Sequence, residues 1–152
     1  MELAFARTDK TDGILVLLSY HSDYFNTLFS SDFREKSMPK IEIKDVKFED
    51  FATLLSLVQK DPIEPTEDTA ESILELAERF MLSAAKRHVE LVLLSSEMGN
   101  LEKIELPDKH DLNFLLVETL KKCEEEDIEP TYEFSEFSDK TKARILDRLI
   151  EL

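Results

Sequence analysis

Across residues 17–58 the hydrophobic positions change period twice, giving three patterns in a row. Phe25, Leu28 and Phe29 recur at helical spacing. Ile41 and Ile43 alternate with Glu42 and Lys44, as on a half-buried strand. Phe48, Phe51, Leu54, Leu55 and Val58 return to helical spacing. The pattern predicts a helix over 23–30, a strand over 41–44 and a helix over 47–59. Ser22 suits the N-cap of the first helix, with Asp23 favourable to the dipole in its first turn. Asp45 is the expected cap of the second. Phe25, Leu28, Phe29, Phe51, Leu54 and Leu55 are the expected core of these helices. Between the first helix and the strand runs a charged loop, 31–40, which contains Phe33. Pro39 biases Met38 within it toward extended backbone.

Residues 1–12 are polar and read as irregular. Gly13-Ile14-Leu15-Val16 is a short apolar run with β-branched residues, and reads as a buried strand. Leu17-Leu18-Ser19-Tyr20 follows with no turn signal between them, an unusual junction for a strand meeting a helix.

Further along, Pro62 and Pro65 stop helix propagation and open a connector. Thr66 or Thr69 then caps a helix carrying Ile73, Leu74, Ala77 and Met81. A helix over 84–94 follows, with His88, Leu91 and Val92 on one face. Residues 74–82 resemble residues 104–112 at an offset of 30, and each copy precedes a second helix, 84–94 and 113–122. Two helical hairpins of similar plan are therefore expected in tandem. Pro107 fits the second if that helix begins near residue 105, which puts the proline in the first turn. The acidic run Glu124-Glu125-Glu126-Asp127 reads as a solvated break. Phe134 and Phe137 are placed to pin the linker. Ser138 caps a last helix with Ala143, Leu146, Leu149 and Ile150 on one side.

Composition narrows the function classes. The 152 residues suit one domain with a helical appendage. With 34 acidic and 19 basic residues the net charge is −15, which repels phosphate backbones and disfavours nucleic acid as a partner. Two glycines, Gly13 and Gly99, are too few for phosphate-cradling loops. One cysteine, Cys123, cannot form an intrachain disulfide, which fits a reducing compartment. The start of the chain lacks the pattern of a signal peptide, and its longest apolar run is too short to span a membrane. A cytoplasmic or nuclear location is the expectation, with no membrane association.

Candidate chemistry is sparse. His21, His88 and His110 are far apart in sequence, and one cysteine gives no zinc spacing. Nothing orients Cys123 and His110 as nucleophile and base. The expectation is a non-enzymatic protein with no cofactor, no metal site and no catalytic residue. Recognition of a protein partner is the function class left. Phe33, a phenylalanine ringed by charge in Ser31-Asp32-Phe33-Arg34-Glu35-Lys36, has the composition of an interface anchor; the alternative is that it folds back onto the core.

The ordered set SYHSDYFNTLF, SDFREKSM, IEIKDV and FEDFATLLSLV resembles the BTB/POZ domain, nearest to nematode members and the speckle-type POZ group. Ser22, Phe25 and Phe29 match the family's Ser-x-x-Phe-x-x-x-Phe helix. Asp45-Val46 matches its Asp-Val step, and Thr11-Asp12 resembles the opening of its first strand. Residues 73–80 and 84–94 resemble its closing helical hairpin. The resemblance implies an α+β, mainly helical fold with a small, reduced sheet followed by additional helices. It divides the chain into an N-terminal tail (1–10), a BTB/POZ-like domain (11–97) and a C-terminal helical extension (98–152). It also implies an adaptor for a cullin-3 ubiquitin ligase, bound through a hydrophobic-x-acidic motif matched by Phe33, Arg34 and Glu35. The helices over 101–122 resemble those that enlarge the cullin contact in such adaptors. The alternative is a self-associating scaffold, a homodimer or a heterodimer with BTB relatives, that recruits no cullin; a Skp-type adaptor for another cullin is a third reading. One departure stands out. Val16 runs directly into Leu17-Leu18-Ser19 where the family has a turn and a second strand, a deficit of roughly ten residues.

Overall fold

The computed structural model describes residues 3–6, 9–29, 40–124, 127 and 132–152. It divides into two compact units, Met1–Val89 and Glu90–Leu152. The loop expected over 31–40 and the charged run at Glu125-Glu126 lie outside the described residues, apart from Lys40.

The first unit opens with strand β1, Leu3–Ala6, which pairs antiparallel with β2, Lys40–Ile43. Leu3 stands opposite Ile43 and Phe5 opposite Ile41. A two-stranded ribbon is marginal alone; here Ile43 is buried. The strand expected at 13–16 does not form. Those residues lie inside helix α1, Asp9–His21. A short apolar run has no period that separates a buried strand from a helix. The missing turn signal before Leu17 has its explanation here: one helix runs through the junction. Leu18 is buried on α1, whereas Val16 and Tyr20, one turn apart, are exposed. The chain before residue 13, expected to be irregular, therefore holds both β1 and the start of α1.

Helix α2, Asp23–Phe29, follows after the single residue Ser22, whose Oγ accepts the Phe25 N–H at 3.1 Å. This is the N-cap expected from the sequence. Helix α3, Phe48–Ser56, buries Phe51, Leu54 and Leu55 at i, i+3 and i+4. Asp45 does not cap it. Its φ is 57°, in the left-handed region that aspartate tolerates, and the N-cap position belongs to Lys47 without a side-chain bond. Buried Val46 lies between Asp45 and the helix, so the carboxylate is too early in the chain.

Helix α4, Glu67–Arg79, buries Ala70, Ile73, Leu74, Leu76 and Ala77. At its start the Thr66 N–H donates to Thr69 Oγ1 at 2.9 Å, so both threonines take part in the cap. Helix α5, Ser83–Ser95, follows.

The second unit holds helix α6, Glu102–His110, and helix α7, Asn113–Lys122. Then come a 3-10 turn, Tyr132–Ser135, and helix α8, Asp139–Glu151. Pro107 sits inside α6, not in its first turn as expected. Proline there removes a single backbone donor, and its own carbonyl is used at the helix end, as described below. Ile104, Leu116, Leu120, Cys123, Phe137 and Ile145 form this unit's core, with Phe134 and Leu149 packed against it. The two phenylalanines do pin the segment that leads into α8. The buried face of α8 is Thr141 and Ile145. Of the four residues expected on its packing side, only Leu149 packs; Ala143, Leu146 and Ile150 are exposed. Ala143, Leu146 and Ile150 share a stripe, and Ile145 and Leu149 lie on the adjoining one, so grouping the four by hydrophobicity merged two faces.

The repeat at offset 30 is a structural repeat. After α4, Met81 adopts φ 53° and the Leu82 N–H reaches back to the Ala77 carbonyl at 2.8 Å. After α6, Asp111 adopts φ 50° and the Leu112 N–H reaches the Pro107 carbonyl at 3.0 Å. Both are helix ends closed by a left-handed residue and a six-residue return bond. Leu82 and Leu112, also 30 apart, are both buried.

A candidate protein-interaction site

The residues singled out for partner contact, Phe33, Arg34 and Glu35, lie outside the described residues. What is described is the pair of flanks: α2, which ends at Phe29, and β2, which begins at Lys40. Both lead to one point, the C-terminal end of α4.

On the α2 side, Ser22 Oγ donates to the Phe80 carbonyl at 2.5 Å and also accepts the Phe25 N–H. One buried hydroxyl thus starts α2 and satisfies a carbonyl left over at the end of α4. The Phe25 ring stacks on Phe80 at 5.3 Å and 19°, and Phe29 stacks on Phe25 at 5.6 Å. Tyr24 and Phe51 approach the Phe80 ring edge-on, each at 5.3 Å. Offset-stacked and edge-on pairs at these distances follow the ring quadrupole. Phe25, Phe51, Leu54, Leu55 and Phe80 are buried; Leu28 and Phe29 are half-buried.

On the β2 side, Arg79 donates to the Lys44 carbonyl at 3.0 Å and to the Asp45 carbonyl at 3.4 Å. Its guanidinium also lies 5.2 Å from the centre of the Phe80 ring. The left-handed Asp45 turns the chain just after β2, and Arg79 holds the carbonyls at that turn. Adjacent residues Arg79 and Phe80 therefore fix the chain on both sides of 30–39.

Sequence reasoning selected Ser22, Phe25 and Phe29 but gave no role to Arg79 or to the Phe80 ring. The spacing of α4 could not assign them, because Phe80 falls at the helix end, where period no longer marks a face. A signal was available in the repeat: the matching positions are Lys109 and His110, so only the first copy carries a phenyl ring there.

Among the described residues the titratable side chains form no catalytic arrangement. His88 Nε2 lies 3.4 Å from Glu64 Oε2 at the surface. Cys123 is buried, and burial, with Asp127 nearby, pushes its thiol pKa up despite Arg148, so it is a poor nucleophile. Among the described residues no cluster of histidine, cysteine and carboxylates is arranged to hold a metal ion. No helix among them is long and apolar enough to cross a membrane.

The BTB/POZ domain profile matches residues 15–97, more than half of the 152-residue chain. This chain belongs to the BTB/POZ domain family. Its similarity to BTB and MATH domain-containing protein 38 of Caenorhabditis elegans is 29% identity over 89% of this chain and 36% of that protein. With BTB/POZ domain-containing protein Y57A10B.3 of the same organism it shares 30% identity over 97% of this chain and 52% of the relative. A third similarity, 29% identity over 60% of this chain, is to the Arabidopsis thaliana ARM repeat protein interacting with ABF2, of which it spans 12%. The chain thus spans between a third and about half of the length of the two nematode relatives. BTB domains are protein–protein interaction modules, typically without enzymatic activity. The aromatic cluster around Phe80 and the buried Ser22 lie inside the matched BTB region, as do both flanks of the 30–39 segment.

Proposed function

We propose that this BTB chain is a non-enzymatic adaptor for a cullin-3 ubiquitin ligase, with Phe33, Arg34 and Glu35 as the contact residues. The main structural support is the convergence of both flanks of that segment on Arg79 and Phe80. An interface anchor binds well only when its backbone is held, because ordering on binding costs affinity. The likeness of Phe33-Arg34-Glu35 to the hydrophobic-x-acidic motif of the speckle-type POZ group supplies the identity of the partner. In this reading residues 11–97 are the BTB unit, 98–152 are the helical extension, and the adaptor works in the cytoplasm or nucleus. Titration with the N-terminal part of cullin-3, wild type beside Phe33→Ala, tests it. An anchor loses at least about 2 kcal/mol on truncation, a weakening of about thirtyfold. No binding by the wild-type chain, or equal binding by the variant, ends the proposal.

A second reading is favoured by a different observation. Val16 and Tyr20 are 71% and 83% exposed one turn apart on α1, in a BTB domain. Such a face is buried if the chain self-associates as a scaffold, with itself or with BTB relatives. Light scattering on the chain alone and mixed with a BTB relative distinguishes the two. A monomer in both solutions removes the scaffold reading.

A further inference from the structure

The second unit carries a groove between α7 and α8, whose α8 side no role given so far uses. Val117 and Leu120 of α7 line it from one side. Arg144, Asp147, Arg148 and Glu151 line it from α8 at i, i+3, i+4 and i+7, so one helix face supplies them all. Its volume is about 200 Å³, below the range of about 300–1,000 Å³ typical of cofactor and small-molecule sites. That volume fits one side chain of a docked segment better than a cofactor.

Cations gather at its edge. Three cations, Lys121, Arg144 and Arg148, line the groove against two acids, in a chain whose net charge is −15. Two of the cations are engaged. Lys121 Nζ lies 2.6 Å from Glu118 Oε1. Arg148 donates to the Cys123 carbonyl at 3.1 Å and lies 3.7 Å from Glu151. Two guanidinium nitrogens at the groove, Arg144 Nη1 and Arg148 Nε, are buried with no hydrogen-bond acceptor among the described residues; Arg148 is held through its other nitrogens, whereas no partner among those residues holds Arg144. A guanidinium hydrogen that is buried and unmatched costs stability, and a carboxylate is the acceptor whose two oxygens match its fork.

We infer that the α7–α8 groove docks an acidic peptide segment of a partner protein. An aliphatic side chain of that segment sits against Val117 and Leu120, and a neighbouring carboxylate pairs with Arg144. Charge complementarity selects the occupant, since the cations sit beside the apolar floor. Its residues are other than Phe33, Arg34 and Glu35, and its test does not involve cullin-3.

The probe is an acetylated, amidated heptapeptide with a central leucine flanked by aspartates, beside the same peptide with asparagines. Each is titrated into the full ¹⁵N-labelled chain while amide chemical shifts are followed. Saturable shifts are expected at Val117, Leu120, Arg144 and Arg148 with the aspartate peptide. The asparagine peptide should bind at least tenfold more weakly, and 0.5 M salt should weaken the aspartate peptide similarly. Arg144→Gln should lose at least tenfold in affinity while keeping the melting profile. If Arg144→Gln fails to fold, Val117→Glu, a change at a half-buried position, must abolish the shifts instead. Equal binding of both peptides, shifts confined to another surface, or no saturable shift at millimolar peptide overturns the inference.

Discussion

Ser22 Oγ and the Phe80 carbonyl oxygen lie 2.5 Å apart, joining the start of α2 to the end of α4 across 58 residues of sequence. The same oxygen accepts the Phe25 N–H. The hydroxyl therefore acts as donor and acceptor at once, inside a buried site. Ser22→Ala leaves a buried carbonyl and a helix N–H without partners. The expected loss is about 1–3 kcal/mol in chemical denaturation, and Ser22→Thr, which keeps the hydroxyl, should recover part of it. A loss below about 0.3 kcal/mol would show that water replaces both bonds.

Phe80 is the centre of the aromatic cluster, in which Tyr24, Phe29 and Phe51 surround the stacked Phe25 and Phe80 at 5.2–5.6 Å spacing. Phe80→Ala should cost about 3–5 kcal/mol. A double-mutant cycle with Phe25→Leu should give a coupling of about 0.5–1.5 kcal/mol. Additivity of the two changes would show that the stacked geometry contributes nothing beyond buried area.

Met81 and Asp111 hold the left-handed position at the turns of the two repeated hairpins. The conformation costs a residue with a Cβ about 1–2 kcal/mol, from which glycine's greater entropy loss of about 0.5–1 kcal/mol must be subtracted. Met81→Gly should therefore raise the stability by several tenths to about 1 kcal/mol, readable as a higher urea midpoint. Met81 is more than half exposed, so little packing is lost. A lower midpoint would contradict this account of the turn.

Asp108 ties α6 to the cap of α8. Its carboxylate accepts the Ser138 N–H at 3.0 Å and the Ser138 hydroxyl at 2.5 Å. Burial works to raise its pKa. The hydrogen bonds from the Ser138 and Thr141 side chains and the Ser138 backbone, with the charge of Lys142, outweigh burial and hold it below the usual carboxylate range. A folded pKa below the unfolded value of about 3.9 gives stability that is complete above that value and lost as pH falls through the folded pKa. Asp108→Asn should remove this part of the acid dependence in urea titrations between pH 5 and pH 2. An unchanged acid slope in the variant would dismiss the contribution.

Cys123 is fully buried and its thiol is held in the protonated form by burial, with Asp127 adding to the effect and Arg148 opposing it. Aromatic disulfide reagents should modify it slowly in the native chain at neutral pH and rapidly in denaturant. Fast modification without denaturant would mean that the core between α7 and α8 opens readily.

Helices were legible in the sequence where an apolar stripe is long enough to show its period. The start of α2 at Ser22, the stripe Phe51-Leu54-Leu55 on α3 and the paired hairpins at offset 30 all have local causes. The N-terminal run 13–16 was not legible, because four apolar residues carry no period. Its helical state came with a strand placed earlier, at Leu3–Ala6. The α8 stripe was misassigned because two adjoining helix faces both carry aliphatic residues, and only the neighbours decide which is covered. At the candidate site the sequence could nominate Phe33, Arg34 and Glu35 from composition and family likeness, but not what holds their flanks.

The sequence by itself determined the helical character of most of the chain, the repeat, the acidic surface and the likeness to the BTB family. These follow from residue type and spacing within a few turns. Only the tertiary structure decided that Arg79 and Phe80 meet both flanks of the 30–39 segment, that Leu3–Ala6 pairs with Lys40–Ile43, and that Arg144 and Arg148 share a groove with Val117 and Leu120. The reason is physical. A helix terminus, a strand edge and a helix face each present unsatisfied groups. Which partner satisfies them depends on what chain closure brings near, which local spacing does not encode.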